Sequence, residues 1–202
     1  MTQAEPIKVD YQNLLKDRFN IIFAGNMGKA QSLDTILDVA KELKLESKIQ
    51  FVFVGAGTET DRLKQRVIHE SIENIVFIPR LPMSEVGGVL DYANVLLVHL
   101  KRDPLFEITV PSKTQAYMAI GKPLLMAVSG DAADLVQEAQ CGRIARSEDV
   151  DNIKTAILEI YHLPTDGQHQ LGLNAKQFYD EKLSLSYGTQ QFIEIFKRVK
   201  DA

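Results

Sequence analysis

Two lysines in this chain stand where an anion would bind. Lys29 closes the run Gly25-Asn26-Met27-Gly28-Lys29, in which glycines let backbone approach a ligand and the lysine supplies a cation beside a helix start. Lys113 follows Pro111-Ser112 at the start of another helix, where the N–H groups of Ser112, Lys113 and Thr114 lack partners one turn back. A diphosphate lying across both would meet two cationic loops at once. That convergence, more than either loop alone, favours a ligand over a simple helix cap and two solvated lysines. Gly55-Ala56-Gly57 has two glycines of a dinucleotide fingerprint, but Thr60 stands where the third belongs and no ribose-binding acid follows at a suitable distance. It reads as a tight turn at the same edge, with Gly55 and Gly57 counted among the ligand-lining residues.

Other chemistry-bearing residues fit plainer roles. Lys101, Arg102, Asp103 and Glu107 crowd one polar loop. Asp149-Val150-Asp151 imitates an acid-x-acid metal motif, but its place at a helix start suits capping. His99 ends an apolar run and reads as a hydrogen-bonded core histidine, whereas His69, His162 and His169 read as solvated.

The elements that must hold these loops follow from periodicity. Short apolar runs at Phe19–Gly25, Ile49–Val54, Asn74–Ile78, Val95–Val98, Leu124–Val128 and Arg143–Ala145 suit strands buried on both faces. Between them lie helical stripes, such as Leu33, Ile36, Leu37, Ala40 and Leu43, or Ala132, Leu135, Val136 and Ala139. Thr60 and Ser84 are placed as caps, and Gly121 ends the helix that begins near Ser112. Leu163–Gly172 is polar and turn-rich, and Asn174–Tyr179 reads as helix. A last helix, Tyr187–Val199, puts Phe192, Ile195, Phe196 and Val199 on one inward face. Strands alternating with helices imply an α/β, Rossmann-like, doubly wound parallel sheet of about six strands, with right-handed crossovers covering both faces. Residues 1–18, with Ile7, Val9, Tyr11 and Leu14 as their apolar members, read as a linker or N-terminal arm, and 19–202 as one Rossmann-like domain. In such sheets ligands bind where strands end and helices begin, which is where Lys29 and Lys113 fall.

Composition narrows the class. The 202 residues are 45% hydrophobic and 25% charged, ordinary for one globular domain. A net charge of -4 gives no support to bulk nucleic-acid binding. The single cysteine, Cys141, permits no internal disulfide. With no signal-like start and no membrane-length apolar run, a cytoplasmic setting is expected.

The stretches GNMGKAQSLDTILDVA, FVFVGAGTETDRLK, NIVFIPRLPMSEV, YANVLLVHL and VPSKTQAYMAIGKPLLMAVSGDAADLVQEAQCG occur in the order found in family 4 glycosyltransferases. More narrowly, the chain resembles bacterial O-antigen and capsule enzymes of the N-acetylfucosamine transferase kind. The resemblance runs from Phe19 onward and is most specific from Pro111 to Gly142. It implies one half of a GT-B fold, the half that binds a nucleotide-sugar donor, with the N-terminal acceptor domain absent. It further implies a UDP-sugar as donor, a lipid-linked acceptor in O-antigen synthesis and no metal or other cofactor. Peripheral contact with the inner face of the cytoplasmic membrane would belong to the full enzyme.

The family's residues carry over unevenly. The places of its usual diphosphate-binding arginine and lysine hold Asn26 and Gln31, leaving Lys29 as the substitute. Counting back from Gly121, its hallmark pair of glutamates falls on Ile108 and Ala116; Glu107, one place off, is the candidate sugar-side acid. Gln115 stands beside Ala116 but ~100° round the helix. Arg80 matches a position that lies against the nucleotide base. Lys29 and Lys113 would stabilise the leaving diphosphate. Two other readings stay open: a sugar-nucleotide 2-epimerase half, which needs acid and base carboxylates, and a nucleotide-binding module without chemistry.

Overall fold

The computed structural model describes residues 9–200. Its elements run α1 (Val9–Leu15), β1 (Phe19–Asn26), α2 (Leu33–Glu42), β2 (Ile49–Ala56), α3 (Thr60–His69), β3 (Ile75–Ile78), α4 (Met83–Leu90), β4 (Val95–His99) and α5 (Pro104–Glu107). They continue with α6 (Ser112–Ile120), β5 (Leu124–Ala127), α7 (Asp131–Glu138), β6 (Gly142–Ile144), α8 (Val150–Tyr161), α9 (Thr165–Phe178) and α10 (Leu185–Lys200). All six strands lie parallel in the order β3-β2-β1-β4-β5-β6. The order reverses between β1 and β4, so that junction is the topological switch point of a doubly wound sheet.

Alternation along the strands divides the core in two. Ile21, Phe23, Phe51 and Phe53 face α2, α3 and α8, where Ile36, Leu37, Leu63, Ile153 and Ile157 are buried against them. Ile22, Val52, Val54, Leu96 and Val98 face the other way, toward Val89, Tyr117, Met118, Val136 and Ala175. Both faces being covered is why these strands read as unbroken apolar runs.

Several boundaries differ from the expected ones. Within the 1–18 segment read as a linker or arm, residues 9–15 form α1 and Leu15 is buried. Ile7 lies outside the described residues, and nothing is described of the Val9 side chain. Thr60 is the first residue of α3 rather than its cap, which is Glu59, and α4 starts at Met83 behind Pro82 rather than at a Ser84 cap. The polar loop after β4 holds the short α5, capped by Asp103, whose Oδ1 accepts from Leu105 N at 3.1 Å. Leu163–Gly172 is mostly helix, as part of α9. Its contact face is made of small residues, with Gly172 so close to α6 that a Cβ would stand 2.3 Å from Gly121 O. Such a contact leaves no apolar stripe in the sequence. On α10 the expected inward face is outward: Phe192 is 64% exposed and Phe196 69%.

Candidate functional site

β1 and β4 pair only at Ile21–Val95 and Ile22–Leu96, although β1 goes on pairing with β2 as far as Asn26. Above Ile22 the sheet therefore splits at its switch point. Side chains from α6 fill the split. The Tyr117 hydroxyl accepts from Ala24 N at 2.7 Å and donates to Ala24 O at 3.1 Å, replacing the strand partner that β4 no longer provides. One turn earlier Lys113 reaches the same opening, its Nζ 3.6 Å from the centroid of the Phe23 ring. The Lys113 side chain is only partly buried as a whole, but its Nζ is enclosed and has no hydrogen-bond partner. Burial lowers its pKa to about 7. The adjacent Thr114 Oγ1 is likewise enclosed and unpartnered. Buried polar atoms almost always find partners, so two orphans on successive residues at one helix start are unusual.

The loop after β1 is held open by glycine chemistry. Gly25 has φ +142°, and a Cβ there would press to 3.2 Å on Lys113 Nζ. Gly55 has φ +134°, and its Cβ would come 2.1 Å from Gly25 O; a Cβ at Gly57 would come 2.3 Å from Met27 O. Gly55 and Gly57 thus let the loop after β2 lie on the loop after β1, an approach a dinucleotide turn does not require. Gln31 folds its side chain back, Oε1 accepting from Gly28 N at 3.0 Å and Asn26 Nδ2 at 3.4 Å. Gly28 and Asn26 therefore meet Gln31 rather than open space. Gln31 is a shaping residue that only its loop geometry reveals.

A second network ties the loops after β1, β4 and β6. His99 is buried, its Nδ1 2.7 Å from Gln31 O, and its Nε2 accepts from Glu148 N at 3.2 Å. That pairing places the proton on Nδ1 and keeps the ring neutral, and burial pushes its pKa down. Glu148 accepts from Ser32 Oγ at 2.6 Å and Arg102 N at 2.8 Å, and these bonds hold its carboxyl below the ordinary range. Lys101 N donates to Ala30 O at 2.8 Å.

The sequence-predicted residues sort unevenly on this frame. Lys29 is exposed at the edge of a hollow of about 200 Å³ that also holds Asp34, Glu59 and Arg62. Pro111 and Ser112 lead into α6, and no side chain caps that helix start. Thr114 N donates to Pro111 O at 2.8 Å, so it is not the free N–H expected, and its side chain is buried. Met27 has nothing to offer a ligand: its side chain is in the core, its N donates to Ala56 O and its O accepts from Glu59 N. Glu107 ends α5, exposed, beside a hollow of only about 10 Å³. Ile108 is exposed too, as are Gln115 and Ala116. Arg80 is exposed beyond β3, the sheet's outer strand, roughly 10 Å from β1 by strand spacing. Asp149 caps α8, Oδ1 accepting from Asn152 N at 3.0 Å, as its position suggested. A hollow of about 580 Å³ lies at the opposite sheet edge among Arg18, Ser47, Ile49 and Asn74. Cys141 is buried, its thiol pushed up to about 12 by burial. No helix among the described residues is long and apolar enough to cross a membrane.

A Rossmann-like sheet with a lysine amine in its split switch point belongs to the class of α/β folds that take ligands at that crevice. Residues 7–178 match the family described as Glycosyl transferases group 1, and the chain belongs to that family. It is 31% identical over 122 residues to "Probable glycosyltransferase WbjE" of Pseudomonas aeruginosa, covering 59% of this chain and 30% of that protein. It is 29% identical over 101 residues to "Putative colanic acid biosynthesis glycosyl transferase WcaI" of Escherichia coli, covering 50% and 24%. The chain thus spans under a third of either relative's length. Among solved structures, HepE of Anabaena in complex with UDP superposes with a TM-score of 0.78 at 14% identity, over 94% of this chain and 52% of that one. The fold is that of one half of a GT-B glycosyltransferase.

Proposed function

We propose that this chain is the donor-binding half of a glycosyltransferase that moves a sugar from a nucleoside diphosphate, UDP by preference, to a lipid-linked acceptor in bacterial surface polysaccharide synthesis. The observation that carries this is the pair of orphaned atoms at the start of α6, Lys113 Nζ and Thr114 Oγ1, at the switch point. A diphosphate at that helix start would give the ammonium an anionic partner and meet the uncapped N–H groups of Ser112 and Lys113. Family membership and the UDP carried by HepE support the nucleotide class. The name of WcaI, a putative colanic acid biosynthesis glycosyl transferase, supports polysaccharide synthesis, within which the sequence resembles enzymes of the N-acetylfucosamine transferase kind.

In this reading Lys29, Lys113 and the helix N–H groups offset charge on the departing diphosphate without a metal ion. Gly25 and Gly28 shape the floor, Arg80 lies toward the base, and Glu107 is the candidate sugar-side acid. The acceptor side is supplied by a second domain. Titration with UDP-, GDP- and dTDP-sugars tests the reading: tight preference for one nucleotide is expected. Equal binding of all would favour a generic nucleotide module, and conversion of a donor to its 2-epimer would establish an isomerase.

A further inference from the structure

We infer that the diphosphate of the donor and one proton enter the switch-point crevice together, the proton being taken from solvent onto Lys113 Nζ. The inference rests on the donor-binding reading above and adds a coupling to it. It starts from geometry. The split between β1 and β4 admits the Lys113 side chain but gives its amine nothing to donate to: Nζ is enclosed and unpartnered. On one side lies the face of Phe23, 3.6 Å away, and on another the side-chain-free Gly25. An ammonium deprived of water and of any acceptor is costly, and the neutral amine is correspondingly favoured.

Other ionisable groups around the split do not relieve that cost. Tyr117, on the same helix, gives its hydroxyl to Ala24, and burial raises its pKa. On β4, His99 has both ring nitrogens engaged, by Gln31 and Glu148. From β1 come only Phe23 and Gly25, neither ionisable. Lys29, on the loop beyond, is exposed and of the same sign. Among the described residues Lys113 Nζ has no hydrogen-bond partner, and burial is the one cause that lowers its pKa to about 7. The quadrupole of Phe23 favours the charged form somewhat, without supplying a hydrogen-bond acceptor.

An anion at the start of α6 reverses the balance. A phosphate oxygen within reach of Nζ would accept the hydrogens and stabilise the charge, so the amine takes up a proton as the anion arrives. No bond to carbon or phosphorus changes: solvent or buffer loses one proton and Nζ gains it. Binding of a diphosphate should therefore weaken as pH rises above neutrality, and an arginine at the position, always charged, should abolish the coupling.

The test is NMR of the chain labelled at lysine 13Cε, titrated with pH with and without saturating UDP-glucose, whose diphosphate has no group that titrates near neutrality. Lys113→Arg identifies the signal by its loss, and Lys113→Met does so again should the arginine variant fold poorly. The backbone amides of Gly25 and Gly28 report binding separately. Expected is a lysine midpoint near neutrality in the free chain that rises by about two units or more with ligand, roughly a hundredfold change in proton affinity. Amide shifts without a change in midpoint, or a free Lys113 that titrates like an exposed lysine, would overturn the coupling and leave the donor-binding reading standing. No amide shift with UDP-glucose or the other nucleotide sugars would overturn both.

Discussion

Lys113 Nζ stands 3.6 Å from the centroid of the Phe23 ring, with no hydrogen-bond acceptor of its own. The folded state thus holds the amine below the pKa it would have when unfolded, from 10.5 to about 7. Between those values the unfolded chain binds more protons, so stability climbs as pH rises through that window, and the cost of burying the charge is fully present below it. Lys113→Met removes the cost. Thermal melts should show the variant more stable than the parent at neutral pH, the gap closing toward pH ~10. A gap that stays constant with pH would mean the ammonium is not destabilising the fold.

Lys29 makes the opposite case. It is exposed, so Lys29→Ala should leave the melting temperature unchanged while weakening UDP-sugar binding by ~1–3 kcal/mol, the range for a charge-assisted contact. Calorimetric or NMR titration checks it, and unchanged affinity would remove Lys29 from the site. The same titration after chelation should give the same affinity. Asp149 already caps Asn152 and pairs with Arg146 at 3.1 Å, and Asp151 pairs with Lys154 at 2.9 Å, so both carboxylates are in use. Strict dependence on a divalent ion would point back to that pair.

His99 and Glu148 should set an acid limit in two stages. His99 is held neutral below its ordinary value of 6.5, so its contribution is intact above that pH and is lost as pH falls toward its lower folded pKa. Protonated Nε2 would then point a hydrogen at Glu148 N, which is itself a donor. Glu148, depressed from 4.5, keeps its contribution above that value and loses it as pH falls through the folded pKa. Melts of Glu148→Gln should lose the lower stage and keep the upper. Loss of the upper stage instead would reassign it away from His99.

Two glycines give a contrast in stability. At Gly55 an alanine must hold φ +134° with its Cβ 2.1 Å from Gly25 O, and a cost of about 2–4 kcal/mol is expected. Gly188, inside α10, has nothing within 4 Å of its Cβ position, so Gly188→Ala should stabilise by ~0.5–1 kcal/mol. Denaturant unfolding of the two variants measures both; a tolerated Gly55→Ala would mean the two loops move apart freely.

Much of this arrangement was legible in the sequence, and the gaps have physical causes. Lys113 reads as a cation at a helix start because Pro111 and Ser112 precede it, and that is local information. Its enclosure depends on β1 and β4 parting after Ile22 and Leu96 and on Tyr117 meeting Ala24, 93 residues away, which no local pattern encodes. Met27 looked like part of a ligand loop, but its loop turns it into the core beneath α3, with Thr60 Oγ1 3.7 Å from its sulfur. Periodicity identifies α10 as amphipathic, but the inward facing expected of its stripe is wrong, because a helical period does not say which way the stripe points. α9 was half missed because small residues, not large apolar ones, make its contact with α6.

The last prediction is that this chain binds a donor and transfers nothing. Its six strands form one Rossmann-like sheet, equivalent to about half of HepE, which it covers over 52% of that chain. In a cleft enzyme the acceptor is positioned from the opposing domain, and positioning supplies much of the rate. Contacts from this one sheet edge alone leave the outer side of a bound diphosphate to water, which screens the exposed ones. Affinity should accordingly be micromolar to millimolar, on the order of 4–8 kcal/mol. The apolar stripe of α10 faces outward, with Phe196 69% and Val199 70% exposed. Incubation with the best-binding sugar nucleotide and a lipid-linked acceptor should give binding without product. Adding the acceptor domain of a full-length relative in trans should restore turnover and protect α10 from hydrogen exchange; turnover by this chain alone at a full-length rate would refute the half-enzyme reading.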